Sequence, residues 1–147
     1  MDQKYIQIFV RVAMATAFLS AVADRLGLWG PSGSPNVSWG DWDNFLLYSN
    51  QLNFYVSPQI GGLLAIVATV LEVVFALMLL IGFKTRIAAL LSGILLICFA
   101  VAMTLAFGIK STFDYSVWVG AGACLLLASL DRYAYSLDNL LNAKRRK

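Results

Sequence analysis

The sequence predicts an all-α membrane protein, an up-down-up-down bundle of four transmembrane helices with both termini cytoplasmic and an interfacial amphipathic helix in its first external loop. Three observations carry this. Of the 147 residues, 60% are apolar or aromatic and only 13% are charged, against roughly 45 to 50% and 25% in a soluble domain. That is about 88 apolar residues, and four spans of about 20 residues need about 80, so no second core remains for a soluble domain and residues 1–147 form one integral membrane unit. The basic residues are also asymmetric. With the amino terminus inside, Lys4, Lys84, Arg86, Arg132, Lys144, Arg145, Arg146 and Lys147 fall on the cytoplasmic side, and only Arg25 and Lys110 fall outside.

The first span covers about 5–26. A secretory signal cleaved after Ala23 is a competing reading, but Arg11 interrupts the apolar run where a signal is most hydrophobic; an uncleaved span is expected. Arg11 shares a side with Met14, Phe18 and Val22, while Ala13, Thr16, Ala17, Ser20 and Ala21 make a small, polar side expected to face the bundle. The arginine either snorkels to the cytoplasmic interface or climbs about 8 Å toward a partner in the next span; both remain open at this level.

The external loop 27–60 opens with Pro and Gly. Ser38 or Asp41 is placed to cap a helix running to about Tyr55, with Phe45, Tyr48, Leu52 and Tyr55 on one side and Trp29, Trp39 and Trp42 nearby. It reads either as an aromatic anchor in the interface or as a lid over an outward pocket.

The second span covers about 61–83 and carries Glu72, about 18 Å from Lys84 along a helix. A carboxylate at that depth must face the bundle or a wet cavity, and Ala65, Ala68, Thr69 and Ala76 on its side turn it inward. It is either a buried carboxyl bonded to a neighbouring hydroxyl or a ligand- or proton-handling group. Gly82 and Lys84-Thr85-Arg86 form a tight turn into the third span, about 87–107, whose inward side is marked by Ser92, Ala100 and Thr104. A short external loop with Lys110 and Asp114 leads to the fourth span, about 115–130, with Gly120, Cys124 and Ala128 as a small-residue ridge. Asp24, Arg25, Lys110 and Asp114 could cross-pair as outer salt bridges or polarise the head of an amphipathic ligand. The tail 131–147, with Tyr133, Leu137, Leu140 and Leu141 at helical spacing, is expected to lie on the cytoplasmic surface beside anionic lipid; the topology accounts for its basic end without nucleic acid.

Chemistry by the chain itself is narrowed by composition. There is no histidine and there are two cysteines, Cys98 and Cys124, without CxxC spacing. Neither a metal site nor a covalently held cofactor is expected, and both cysteines read as packing residues.

Arg11 ahead of AMATAFLSAVADRLG, the stretch LEVVFALMLLIGFKTRIAALLSGILL around Glu72 and Gly82, and AFGIKSTFDYSV before the last span together resemble the DoxX-like family of small bacterial four-helix membrane proteins. Many of its members carry a lysine where this chain has Asp24-Arg25. The resemblance implies a multi-pass protein of the bacterial inner membrane, a membrane subunit supporting quinone-linked oxidoreduction with redox partner proteins, Glu72 acting as proton acceptor and Arg11 as its electrostatic partner. Asp24, Arg25, Thr104, Lys110 and Asp114 would then line an outward pocket for the quinone. The same residues fit a non-enzymatic lipid or apolar small-molecule binding protein, or an assembly scaffold of a larger complex. A homo-oligomer would fit any of these.

Overall fold

The computed structural model describes residues 2–144, so Arg145, Arg146 and Lys147 of the basic tail lie outside the described residues. All regular structure among the described residues is helical: α1 (Gln3–Arg25), α2 (Trp42–Leu52), α3 (Pro58–Ile81), α4 (Thr85–Phe107), α5 (Ile109–Asp114), α6 (Val117–Ala128) and α7 (Leu137–Lys144). Helices α1, α3 and α4, of 23, 24 and 23 residues, are long and apolar enough to cross a membrane. At 1.5 Å per residue each runs about 35 Å, against a hydrocarbon core of about 30 Å.

The helix ends follow from local chemistry. Asp2 caps α1 through the Lys4 N–H, Asp41 caps α2 through the Asn44 N–H, and Pro58 opens α3 where no N–H is needed. Gly82 ends α3 in the left-handed region at φ 67°. A Cβ there would meet Arg11 Nη2 and Ser136 Cβ, each 2.5 Å away, so glycine is required twice over, for its dihedral and for the space.

Helix α1 packs along α3 and α6 along α4, with α1 also touching α6. Ala15, Ala76, Ala88, Ala89 and Ala128 let the backbones approach, and Phe18, Phe75 and Leu79 fill the space between them. The inward faces of α3 and α4 are those that the sequence predicts: Ala65, Glu72 and Ala76 are buried, as are Ser92 and Ala100. In α1 the expectation is reversed. Its buried face is Gln7, Arg11, Ala15, Phe18 and Val22, and Ala13, Thr16 and Ala17 point outward. The reason is Arg11. It is 3% exposed and donates to four backbone carbonyls: Leu79 (Nε, 2.8 Å), Leu80 (Nη2, 3.1 Å), Ala134 (Nη1, 3.1 Å) and Tyr135 (Nη1, 3.4 Å). Two of these belong to the last turn of α3, whose carbonyls have no intrahelical partner. Meeting that demand outweighs the small-residue preference that would have turned the other side inward.

The fourth apolar stretch is helical over only 12 residues, Val117–Ala128, about 18 Å. Ser116, at φ 54°, breaks it from α5. Beyond α6 the chain leaves the helix, and Tyr133, expected on the helical face of the tail, is instead in a non-helical segment. Its buried hydroxyl donates to the Leu127 carbonyl at 3.2 Å. The next residue donates its N–H to Gln7 Oε1, returning the chain to the end where α1 begins.

Among the described residues of the tail only Leu137–Lys144 is helical, and α7 folds onto the α3–α4 turn. The Asp138 carboxylate accepts from the N–H groups of Lys84 (2.7 Å) and Thr85 (2.8 Å) and from Thr85 Oγ1 (2.8 Å). Helix α4 is thus capped from more than 50 residues downstream. Asp138→Ala leaves these donors without that partner and should cost about 1–2 kcal/mol, read as a lowered unfolding midpoint in detergent; an unchanged midpoint would show that water replaces the cap.

Candidate functional site

Arg11 meets Leu79, and in an antiparallel pair of helices 14 further residues on α1 bring Arg25 level with Ala65. The Arg25 side chain extends back down α3 by one to two turns. Its Nη1 donates to Thr69 Oγ1 (2.8 Å) and to Glu72 Oε2, and its Nη2 donates to Glu72 Oε1 (3.1 Å). The Thr69 hydroxyl donates to the Ala65 carbonyl at 2.9 Å, so its oxygen is free to accept from Arg25. The arginine and glutamate side chains are 5% and 3% exposed, a two-pronged ion pair of the geometry for which guanidinium suits carboxylate.

Aromatic rings close the pair from the loop side. The Arg25 Cζ lies 4.1 Å from the Phe45 ring centroid and 5.3 Å from that of Trp39, within the range of cation–π attraction. Trp39 is held there by Asp24, whose carboxylate accepts the N–H groups of Ser38 (2.8 Å), Trp39 (2.9 Å) and Gly40 (2.8 Å). Gly40 sits at φ +75° with backbone of Pro31 and Ser32 where a Cβ would be, so only glycine completes this anion-binding turn. Two adjacent residues therefore divide the work: Asp24 pins the loop, and Arg25 neutralises Glu72.

Beside the pair lies a groove of about 1010 Å³ between α3 and α4, covered by α2. Its walls are largely apolar, with Ala68 and Leu71 on one side, Leu95, Phe99 and Met103 on the other and Tyr48 above. Arg25 and Glu72 are the only charged side chains in this lining among the described residues. Tyr48 stacks on Phe107 at 5.6 Å between centroids. Burial pushes its phenol above the ordinary range, an effect that Tyr115 adds to and Arg25 opposes, so the hydroxyl stays protonated near neutral pH.

Of the residues that the sequence singles out, the structure brings together Glu72 and Arg25, with Asp24 directly behind them. Arg11 lies at the opposite end of α1 and does not pair with Glu72; its donors are taken by backbone carbonyls of the last turn of α3 and of Ala134 and Tyr135. Lys110 and Asp114 pair with each other within α5 at 2.5 Å, exposed, and form no bridge to Asp24 or Arg25. Thr104 donates to the Ala100 carbonyl at 2.7 Å and is outside the groove lining. Along α2, Phe45 and Tyr48 face inward as expected, whereas Tyr55 lies beyond the helix and is exposed. Phe45 and Trp39 as ring partners of Arg25 are absent from the sequence reading; only the one-to-two-turn reach of a terminal arginine hints at them. No cluster of three or more His, Cys, Asp or Glu side chains suited to a metal ion occurs among the described residues.

Removing one member of the Arg25–Glu72 pair should cost about 3–5 kcal/mol, because it strands the other charge. The double change Arg25→Met with Glu72→Met should cost clearly less than the sum of the single changes, measured by denaturant titration in micelles; additive losses would mean that the two groups are not coupled. Asp24→Ala should release the 26–41 loop and raise its proteolytic cleavage severalfold, while an unchanged digestion pattern would show that Gly40 and its neighbours hold the loop alone.

The family model for methylamine utilisation protein MauE matches residues 3–114. No curated protein and no solved structure matches the chain. The match corrects the DoxX-like resemblance: nearly all the stretches that carried it, from Arg11 through the Glu72–Gly82 segment to Asp114, lie within the span assigned to a different membrane protein family.

Proposed function

The chain belongs to the methylamine utilisation protein MauE family, and on that premise we propose that it is a multi-pass membrane component of a bacterial methylamine-utilising system, whose groove holds an apolar small molecule for a partner protein. The observation that carries this reading is the buried Arg25–Glu72 pair beside a groove otherwise lined by neutral side chains. Sites for small molecules are commonly of this kind, largely apolar with a few polar groups fixing orientation. Quinone and membrane lipid are the two classes of occupant that such a groove suits. The chain brings neither histidine nor a CxxC pair, so electron transfer belongs to the bound molecule or the partner.

Four crossings of the inner membrane, with both termini cytoplasmic, complete the proposal. Lys4 and Lys84 both lie at the Arg11 end, which the charge asymmetry assigns to the cytoplasm. The short α6 reaches that end because the non-helical residues Leu130 to Ala134 add up to about 15 Å. Deletion of the gene should abolish growth on methylamine as sole nitrogen source while sparing growth on ammonium. Restoring the chain as Glu72→Gln, at wild-type membrane levels, should leave methylamine growth impaired severalfold. Equal growth of the deletion strain on both sources would overturn the assignment.

A further inference from the structure

Arg11 is a buried cation without a contacting anion. Its four acceptors are neutral peptide carbonyls, those of Leu79, Leu80, Ala134 and Tyr135, and it makes no ion pair among the described residues. Bonds to carbonyls satisfy its N–H groups but leave its net charge in place, offset only in part by the dipole of α3. The nearby acid, Asp138, is engaged by the N–H groups of Lys84 and Thr85 on the α3–α4 turn. This end of the bundle therefore carries a fixed positive potential.

Ala134 and Tyr135, whose carbonyls hold that guanidinium, also line a crevice of about 570 Å³ where the start of α1, the end of α3 and α7 meet. Lys4 is the only charged side chain in its lining among the described residues, and Asp138 is outside it. Lys4 pairs with Asp2 at 3.1 Å, but the two side chains are 41% and 55% exposed, and an ion pair so open to water is weak enough for a second anion to share the lysine. The rest of the lining divides by chemistry. Tyr135 and Asn139 are exposed polar side chains, whereas Ile81, Leu137 and Leu140 are exposed and apolar. Ile81 ends a helix long enough to cross a membrane, so this apolar flank lies where hydrocarbon gives way to headgroups. A positive crevice without an acid in its wall, beside such a flank, is complementary to an anion that carries its own apolar chains. We propose that it is a binding site for an anionic phospholipid, with the phosphate beside Lys4 and the acyl chains over Ile81, Leu137 and Leu140. The groove beside Arg25 lies at the other end of α1, and the two sites are separate.

The full chain in dodecyl maltoside micelles is given equimolar dioleoyl phosphatidylglycerol and dioleoyl phosphatidylcholine, which share acyl chains and phosphate and differ in net charge. Native mass spectrometry then counts the lipid retained on the protein. The anionic lipid should be retained about tenfold more, and Lys4→Gln should bring that ratio to about twofold, since one lysine beside anionic lipid accounts for about fivefold. Arg86→Gln removes an exposed cation near the same end but outside the crevice, and it should leave the ratio unchanged. Equal retention of the two lipids overturns the proposal, and so does a ratio that Lys4→Gln leaves untouched. A ratio lowered alike by both variants overturns it too, because diffuse surface charge would give that result. Inorganic phosphate in large excess should not displace the phosphatidylglycerol; if it does, the site takes a free anion and the lipid assignment is lost. Neither substitution touches the groove, so the outcome is independent of what the groove holds.

Discussion

A carboxylate in the middle of an apolar helix is a demand that the rest of the chain has to meet, and the Arg25–Glu72 pair is how this protein meets it. Leaving Glu72 unpaired would cost several kcal/mol. Its partner must come from a helix end, because only there can a long side chain reach inward without placing a second charge at mid-span. That requirement sets the offset between α1 and α3, and it keeps the guanidinium under cover, since a half-exposed pair would let water in beside the carboxylate. The cover is the loop carrying Trp39 and the helix carrying Phe45, and the loop is fastened to the end of α1 by Asp24, next in sequence to the arginine that it protects.

The opposite end works by the same logic with the signs rearranged. Arg11 supplies positive charge to the carbonyls ending α3, where the helix dipole is negative. Asp138 supplies negative charge to the N–H groups opening α4, where it is positive. Gly82 allows the two helices to turn between them. Each charge is buried or half-buried against backbone rather than against an opposite charge, which locks the termini of three segments together. The well-packed core of Ala15, Phe18, Ala76 and Leu79 lies at this end. The groove, in contrast, lies between parts of α3 and α4 farther from their turn. Charge-to-backbone bonds tie one end of the bundle together, and the groove of about 1010 Å³ lies toward the other.

The sequence by itself determined the class and much of the patterning. Sixty per cent apolar content with 13% charge leaves no alternative to a membrane protein. The single acid within the 61–83 apolar run had to face inward, and the Gly82–Arg86 turn and the Asp41 cap are local devices readable from a few adjacent residues. What the tertiary structure decided is pairing. Sequence put Arg11 forward for Glu72 and left Arg25 among the outer charges, because the choice depends on the stagger of α1 against α3, and a stagger of one turn moves a side chain by about 5 Å. It put the wrong side of α1 inward, because small residues signal packing in general, whereas the carbonyls that Arg11 satisfies belong to residues 68 to 124 positions away. It left Asp24 between an outer salt bridge and a ligand head group, though its carboxylate is consumed by the backbone N–H groups of Ser38, Trp39 and Gly40. Composition and periodicity are local sums, and the chain carries them wherever it goes. A buried charge is resolved only by whichever donors the fold brings within about 3 Å, and that distance exists only once the helices have packed.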